Sequence, residues 1–354
     1  MIKHLTGNLL EADTEAYVNT VNTVGVMGKG IALQIRQAFP KVFEEYQRAV
    51  KYGEVQPGRM HVVRTGAVTN PRFIINFPTK EHWRGKARIA FIRDGLVDLV
   101  KVLRHLDIKS VAVPPLGCGS GGLRWSQVRP LIESALRDLE GVTVLLYAPA
   151  GAPAADKMIV STTRPNLTVA RAAYLRVFKD YAIPGYRMTM LEVVKLAYFL
   201  QAAGEPLKLN FVRGIYGPYA EQMHPVLQRL EGHFIRGYGD RSKGASIYVM
   251  KEATSEAERL LENHPDTLQR LDRVSRLIKG FETPYGLELL STIHWVARDD
   301  ERTHTDPAAA VTLVQGWSEH KRRTFPSGHI KVAWQRLREE GWLGPTETTT
   351  PLPR

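Results

Sequence analysis

Short apolar runs alternate with helical periodicity over residues 1–150. The runs are rich in β-branched and aromatic residues and are bounded by Gly, Pro or Asn, which is typical of strands. They predict strands over residues 17–22, 59–64, 72–77, 110–114 and 142–147, and residues 1–7 lead directly into a further strand. Apolar positions at helical spacing predict helices over residues 29–39, 87–105 and 125–139. Strands that alternate with helices indicate an α/β layered domain around a central sheet.

The pattern changes after residue 147. Segment 148–155 consists of small residues and proline, which favours a linker. Helical periodicity then dominates over residues 191–200, 256–261, 268–278, 287–296 and 330–337, and Asp306-Pro307 and Pro265-Asp266 are typical helix starts. We therefore predict a first domain over residues 1–150, a linker over 151–157, a mainly α-helical domain over 158–343 and a flexible tail over 344–354.

Composition narrows the class of protein. Among 354 residues, 44% are hydrophobic and 24% are charged, a balance that excludes large-scale disorder. No apolar run approaches the roughly 18–20 residues that a membrane-spanning helix needs, and the N-terminus lacks a signal-peptide core. Cys118 is the single cysteine, which excludes an intrachain disulfide and metal sites built on several cysteines. We expect a cytoplasmic protein without a metal or cofactor.

The charge balance points to an anionic partner. The chain carries 48 Lys and Arg against 36 Asp and Glu, a net charge of +12. Such an excess favours polyanions, nucleic acid first among them, although many basic proteins do not bind DNA.

Two glycine-bearing loops lie at strand-to-helix junctions, over residues 22–32 and 115–123. Glycine lets backbone amides approach a phosphate closely, and the first turn of the following helix adds unpaired N–H groups. One such loop is often only a tight turn, whereas two in one α/β domain favour a ligand with two phosphates.

Two common nucleotide motifs do not fit these loops. A P-loop requires Ser or Thr after Gly-Lys, but Gly30 follows Lys29. Gly117, Gly119 and Gly122 match the spacing of a dinucleotide fingerprint, but the acidic residue expected after the next strand is missing.

The loop residues instead resemble those of macrodomains. Gly7-Asn8-Leu9-Leu10 resembles the family's opening turn, and residues 18–22 followed by 28–32 resemble its strand and first phosphate loop. Residues 114–119 followed by Gly-Leu-Arg-Trp resemble its second loop, so the resemblance covers residues 1–150. It implies a three-layer α/β/α fold with a mixed central sheet that binds ADP-ribose, a pyrophosphate ligand.

Within macrodomains, the sequence resembles the DarG class of antitoxins. Segment 76–84, Asn-Phe-Pro-Thr-Lys-Glu-His-Trp-Arg, carries this resemblance because the class has a lysine at this place. The resemblance implies a DNA ADP-ribosyl glycohydrolase that removes ADP-ribose attached to thymidine in single-stranded DNA by DarT-like toxins. A module that binds ADP-ribose without cleaving it and a hydrolase that acts on modified proteins remain the alternatives.

The resemblance assigns Lys80 as the catalytic residue. An amine can attack the anomeric carbon when it is neutral, which requires a lowered pKa, or it can act as an acid–base or electrostatic group while water attacks. The predicted ADP-ribose contacts are Asn8, Leu9, Thr20, Val21, Asn22, Gly28, Gly30, Ile31, Ala32, Leu33, Gln34, Thr79, Gly117, Cys118, Gly119, Ser120 and Gly121. Of these, Asn22 would orient the ribose, and the amides of the two loops would hold the phosphates.

Two positions depart from the family pattern. Asn8 stands where a carboxylate commonly contacts adenine, and Gly121 stands where lysine-dependent relatives place an acid. That acid would release a lysine adduct or activate water, so its absence argues against a covalent mechanism.

Aromatic and basic residues directly follow Lys80. Trp83, Arg84, Lys86 and Arg88 combine a stacking surface with positive charge, as single-stranded DNA requires. A basic helix start with one packed tryptophan is the plain alternative.

The second domain shows no catalytic pattern. Segments 195–200 and 216–219 faintly resemble Panacea or SocA-like antitoxin modules, which implies binding of a toxin partner, here a DarT-like enzyme. The histidines of this half lack the spacing of a metal-binding pair.

Overall fold

The computed structural model describes residues 1–149, 153–241 and 244–344, and these form two compact units. The first unit comprises Met1–Thr163 with Gly239–Lys243, and the second comprises Arg164–Tyr238 with the chain from Gly244 onward. The first unit extends beyond the predicted linker because the amide of Ser161 donates to the carbonyl of Gln37, at 2.8 Å. The start of that linker, at 151–152, and nearly all of the predicted tail lie outside the described residues.

A six-stranded mixed sheet organises the first unit. Its strands are β1 (Ile2–Leu5), β2 (Ala16–Val21), β3 (His61–Arg64), β4 (Phe73–Pro78), β5 (Ser110–Val113) and β6 (Thr143–Tyr147). Their order across the sheet is β1-β6-β5-β2-β4-β3, and all neighbours are parallel except β3, which runs antiparallel to β4.

Helices cover both faces of this sheet. They are α1 (Gly30–Ala38), α2 (Pro40–Lys51), α3 (Ile89–His105) and α4 (Trp125–Leu136). Alternate residues of β4 serve the two faces: Phe73, Ile75 and Phe77 pack in the cluster that holds α3 and α4, whereas Ile74 packs with α1 and α2. The predicted three-layer α/β/α architecture is confirmed, and every residue of β4 is buried, as expected of an inner strand.

The sequence did not predict α2. The predicted helix ended at Phe39 because a proline inside a helix interrupts it, whereas Pro40 is the first residue of a new helix.

The second unit is mainly α-helical, as predicted. Its helices are α5 (Val169–Tyr181), α6 (Met190–Ala202), α7 (Met223–Leu230), α8 (Lys251–Leu261), α9 (Pro265–Ile278), α10 (Pro284–Asp299), α11 (Pro307–Gln315), α12 (Glu319–Thr324) and α13 (Ser327–Glu339). Two short antiparallel pairs accompany them, β7 (Val212–Gly214) with β8 (Gly217–Tyr219) and β9 (Ile235–Arg236) with β10 (Tyr248–Val249).

Helices α6 and α10 form the centre of this unit. Residues 192–201 of α6 are all buried, and Thr189 with Glu192 closes a capping box at its start. Asp306 caps α11 ahead of Pro307, as the sequence predicted. Across the described residues, no helix has both the length and the apolar character that crossing a membrane requires.

Candidate active site

Three loops meet at the carboxyl edge of the sheet in the first unit. The loops follow β2, β4 and β5, and β2 lies between the other two strands. Parallel neighbours end at the same edge, as the pairing of Val21 with Pro78 shows. The first glycine loop therefore lies between the second glycine loop and the loop of Lys80, which is where open α/β sheets bind ligands.

Lys80 is held in a partly buried position directly after β4. Its Nζ donates to the carbonyl of Trp83 at 3.0 Å. Burial lowers the pKa of the Lys80 ammonium below its usual value, and the positive charge of Lys29 lowers it further. The amine is thus a stronger proton donor than an exposed lysine and is more readily neutral.

Main-chain hydrogen bonds fix the Lys80 loop to its neighbours. The amide of Thr79 donates to Val21 at 3.0 Å, and the amide and hydroxyl of Thr23 both donate to the carbonyl of Glu81, at 3.0 and 2.8 Å. On the other side, the amide of Ala87 donates to the carbonyl of Gly121 at 3.0 Å. Lys80 is therefore positioned from both glycine loops.

The Asn22 side chain shapes the first loop. Its Oδ1 accepts from the amides of Val24 and Val26, at 3.0 and 3.3 Å, and its Nδ2 donates to the carbonyl of Val26. Tyr46 donates its hydroxyl to the Asn22 carbonyl at 2.6 Å. One Nδ2 hydrogen is left for the predicted ribose contact, while Thr20 and Val21 occupy the end of β2 beside it.

Helix α1 presents its N-terminus at the same edge. It begins at Gly30, so Ile31, Ala32 and Leu33 lie in its first turn, where amides lack a helical acceptor. The Gly30 amide donates instead to the carbonyl of Asp240, at 2.9 Å, and Gln34 donates its side-chain amide to the Asp240 carboxylate at 2.7 Å. Asp240 belongs to the first unit, although it lies far along the chain.

The second loop folds back on itself. The amide of Leu123 donates to Gly117 at 3.0 Å, and that of Gly122 donates to Gly119 at 3.1 Å. Burial raises the pKa of the Cys118 thiol to about 11, so Cys118 is not a thiolate nucleophile. Ser120 lies at the exposed tip of this loop.

Gly121 has no room for a side chain. A Cβ built on it would lie 2.5 Å from the Gly117 oxygen and 2.7 Å from the Ala87 Cβ. The loop therefore excludes a carboxylate at this position for a steric reason, which the sequence alone did not reveal.

Asn8 acts locally as a helix cap. Its Oδ1 accepts from the amide of Leu10 at 3.1 Å, and its Nδ2 donates to Glu11 at 3.1 Å. Leu9 is buried beneath this turn. Glu11 thus places a carboxylate beside the position where the family pattern would have one.

The predicted DNA-contacting residues form an exposed surface after Lys80. Trp83 is 44% exposed, and the guanidinium of Arg84 lies 4.6 Å from the centre of its ring. Lys86 is exposed, whereas Arg88 pairs with Glu81 at 3.1 Å. Aromatic area and positive charge therefore adjoin Lys80.

Comparisons with known proteins agree with this arrangement. The Macro domain family model matches residues 18–132. A "DNA ADP-ribosyl glycohydrolase" of Thermus aquaticus is 47% identical over 347 residues, which are 98% of this chain and 96% of that protein. The chain belongs to the DNA ADP-ribosyl glycohydrolase family.

Two further relatives match a smaller part of the chain. A "DNA ADP-ribosyl transferase-DNA ADP-ribosyl glycohydrolase fusion protein" of Thermosipho africanus is 35% identical over 158 residues, 40% of each chain. The solved macrodomain of Mycobacterium tuberculosis DarG is 54% identical and covers 42% of this chain and 98% of that one, with a TM-score of 0.42.

Membership of the DNA ADP-ribosyl glycohydrolase family confirms the resemblance on which the site was predicted. The structure brings Lys80, Thr79 and both glycine loops to one edge of the sheet. Four residues that were not predicted as site residues support this edge: Thr23, Lys29, Glu81 and Asp240. Lys29 and Thr23 stand inside the quoted loop motif and could have been considered, whereas no local signal indicates the contact made by Asp240.

The described residues contain no group of three or more His, Cys, Asp or Glu side chains that could hold a metal ion.

Proposed function

We propose that this chain is an antitoxin that removes ADP-ribose from modified thymidine in single-stranded DNA, and that it also binds and inhibits a DarT-like transferase. The observation that carries the first part is the position of Lys80. A lysine with a lowered pKa lies in a loop that makes main-chain hydrogen bonds to both glycine loops, beside an exposed tryptophan with neighbouring cations.

The site suits a ligand with two phosphates and an attached nucleotide. Amides of the first turn of α1 and of residues 117–121 would donate hydrogen bonds to the pyrophosphate, because both segments lie at one edge of the sheet. Trp83 would stack on a base next to the modified thymidine, and Arg84 and Lys86 would pair with backbone phosphates.

Lys80 is proposed to act as a proton donor. As the bond between the ribose anomeric carbon and the thymine nitrogen breaks, the Lys80 ammonium gives its proton to the departing base. Water then adds to the anomeric carbon, and the proton that it loses returns to the neutral amine. The lowered pKa strengthens this donor. We favour this route over a covalent lysine adduct because Gly121 leaves no space for the acid that would release the adduct.

An oligonucleotide carrying ADP-ribosyl thymidine tests the activity, with modified guanosine and modified protein as competing substrates. Release of ADP-ribose from the thymidine substrate alone is expected. Lys80→Ala should abolish release while calorimetry still detects ADP-ribose binding, and exposed Lys51→Ala serves as the matched control. Near-full turnover by Lys80→Ala would exclude Lys80 as the catalytic residue.

Borohydride reduction separates the two chemical routes. Direct attack by water gives no reducible intermediate, so active enzyme mixed with substrate should yield no adduct by mass spectrometry. A reduced adduct on Lys80 would establish the covalent route instead.

Toxin binding is proposed for the second unit. This unit has its own hydrophobic core, and the Thermosipho relative joins a transferase and a glycohydrolase in one chain. The full chain with Lys80→Ala should still reduce the activity of the cognate transferase on unmodified DNA. If co-purification and calorimetry detect no complex, neutralisation depends on glycohydrolysis alone. A cytoplasmic location, where modified DNA lies, is part of the same proposal.

A further inference from the structure

The β7–β8 hairpin of the second unit exposes a row of apolar side chains. Val212 is 51% exposed, Ile215 is 70% exposed and Tyr216 is 55% exposed. Ile215 and Tyr216 form the tip between the two strands, and Val212 begins β7. Apolar side chains that cluster on one exposed element are typical of binding surfaces, whereas single ones are ordinary.

Both strands of the hairpin are anchored, β7 to the turn between α11 and α12 and β8 to α6. On β7, Arg213 donates to the carbonyl of Trp317 at 2.9 Å and stacks on its ring, while the Trp317 indole donates to the carbonyl of Gly214 at 3.1 Å. On β8, the Lys195 ammonium donates to the carbonyl of Pro218 at 2.6 Å. The tip is therefore exposed but held in place, which lowers the entropy that a partner must overcome on binding.

The hairpin covers a buried charged cluster. Lys195 is 2% exposed and Lys321 is fully buried, and Lys321 donates to Glu288 at 2.6 Å and to Thr292 at 3.0 Å. Gly217, with φ +89°, permits the close approach, since a Cβ there would lie 2.8 Å from the Thr292 hydroxyl. Lys321 offsets the Glu288 carboxylate, and Lys195, whose pKa burial lowers to about 7, adds positive charge beneath the tip below that pH.

The surface beside the tip is also positive. Tyr216 packs edge-on against His320 at 5.3 Å between ring centres. His320 lies on α12 with Arg322 and Arg323, which are 63% and 79% exposed and share the single carboxylate of Glu319. A partner that receives the apolar tip therefore gains from carboxylates around its pocket.

We propose that the hairpin tip is the anchor by which the second unit docks on the transferase toxin, entering an apolar pocket bordered by carboxylates. The proposal rests on the toxin-binding part of the proposed function and adds the surface and the chemistry of its partner. Single-stranded DNA fits the tip less well, because two of its three exposed side chains are aliphatic and cannot stack on bases as aromatic rings do.

Serine substitutions in the full chain test the tip. Ile215→Ser and Tyr216→Ser should each weaken binding to the cognate toxin by about 30-fold or more, the effect of losing a hot-spot side chain. Ile183→Ser is the matched control, because Ile183 is equally exposed, at 73%, elsewhere in the same unit. Arg323→Glu should slow association, and added salt should shrink that difference.

Far-UV circular dichroism and thermal melting of the mainly helical second unit verify that the same variants are folded. Their turnover of ADP-ribosylated DNA should be unchanged, since no tip residue belongs to the proposed catalytic site. If the unaltered chain does not bind the toxin, the proposed toxin binding itself fails. If it binds and the tip variants match Ile183→Ser, the tip is not the docking surface. Loss of affinity for single-stranded DNA with unchanged toxin binding would likewise overturn the proposal and assign the tip to nucleic acid.

Discussion

Replacing Gly121 with alanine should destabilise the first unit. The new Cβ would lie 2.5 Å from the Gly117 oxygen and 2.7 Å from the Ala87 Cβ, whereas ordinary contacts begin near 3.4 Å. Neither neighbour is the flexible end of a long side chain. The loop can relieve the overlap only by moving away from Ala87, whose amide bonds to the Gly121 carbonyl.

The expected cost follows from those two effects. Overpacking in a tight site costs roughly 1–3 kcal/mol, and a lost hydrogen bond adds about 1 kcal/mol. For a unit of this size each kcal/mol lowers the melting temperature by roughly 2–4 °C, so a decrease of about 4–16 °C is expected. Gly121→Asp should cost at least as much and should not restore acid catalysis.

Scanning calorimetry of the full chain measures this effect, read on the transition that ADP-ribose moves to higher temperature. Gly119→Ala is the control within the same loop, because nothing lies within 4 Å of a Cβ at that position. Its stability should stay within about 0.5 kcal/mol of the unaltered chain. If Gly121→Ala melts together with Gly119→Ala, the steric reason given for the missing carboxylate is wrong.

Three further outcomes are expected. If the Lys80 ammonium is the proton donor, the rate of ADP-ribose release falls as the pH rises through the lowered pKa of Lys80. Lys29→Ala removes a nearby cation, so it should raise the pKa of Lys80 and move this fall in rate to higher pH. A rate that rises with pH would instead indicate attack by the neutral amine. Lys86→Ala should make the slope of log affinity for single-stranded DNA against log salt concentration shallower by about 0.7, the value for one lost phosphate contact. Arg88→Ala should change this slope less, because Arg88 pairs with Glu81. Equal changes in the two variants would refute this difference. Burial lowers the pKa of Lys195 to about 7, against about 10.4 in the unfolded chain, so the unfolded chain binds more protons between these two pH values. The free energy of unfolding of the second unit should therefore rise from pH 7 to pH 10. Denaturant titrations across this range should show a smaller rise for Lys195→Met.

The strands of the first unit were the features that the sequence predicted best. The apolar runs marked five strands of the sheet, and the ends of parallel neighbours necessarily meet at one edge. The strand order, which the structure supplies and the sequence did not predict, then brings both glycine loops and the Lys80 loop together. The boundaries shifted by only a residue or two for most strands, for example to Phe73–Pro78 for β4.

The remaining features depend on contacts that no local pattern records. Asn22 was predicted from its place before a glycine loop, but its carboxamide is mostly engaged by the amides of its own loop. Asp240 accepts a hydrogen bond from Gln34 although 206 residues separate them in the sequence, and no local pattern in either segment predicts this contact. The steric exclusion at Gly121 likewise arises from Ala87, which belongs to another loop.

The hydrogen bonds that position Lys80 come almost entirely from the main chain. Glu81 and Ala87 take part through their carbonyl and amide, and such bonds persist when side chains are exchanged. The Lys80 ammonium likewise donates to the main-chain carbonyl of Trp83, so side chains at positions 83, 84 and 86 can be exchanged while these main-chain bonds are kept. Because these positions form the proposed DNA-contacting surface, they are the ones to change when a glycohydrolase for another DNA sequence is sought.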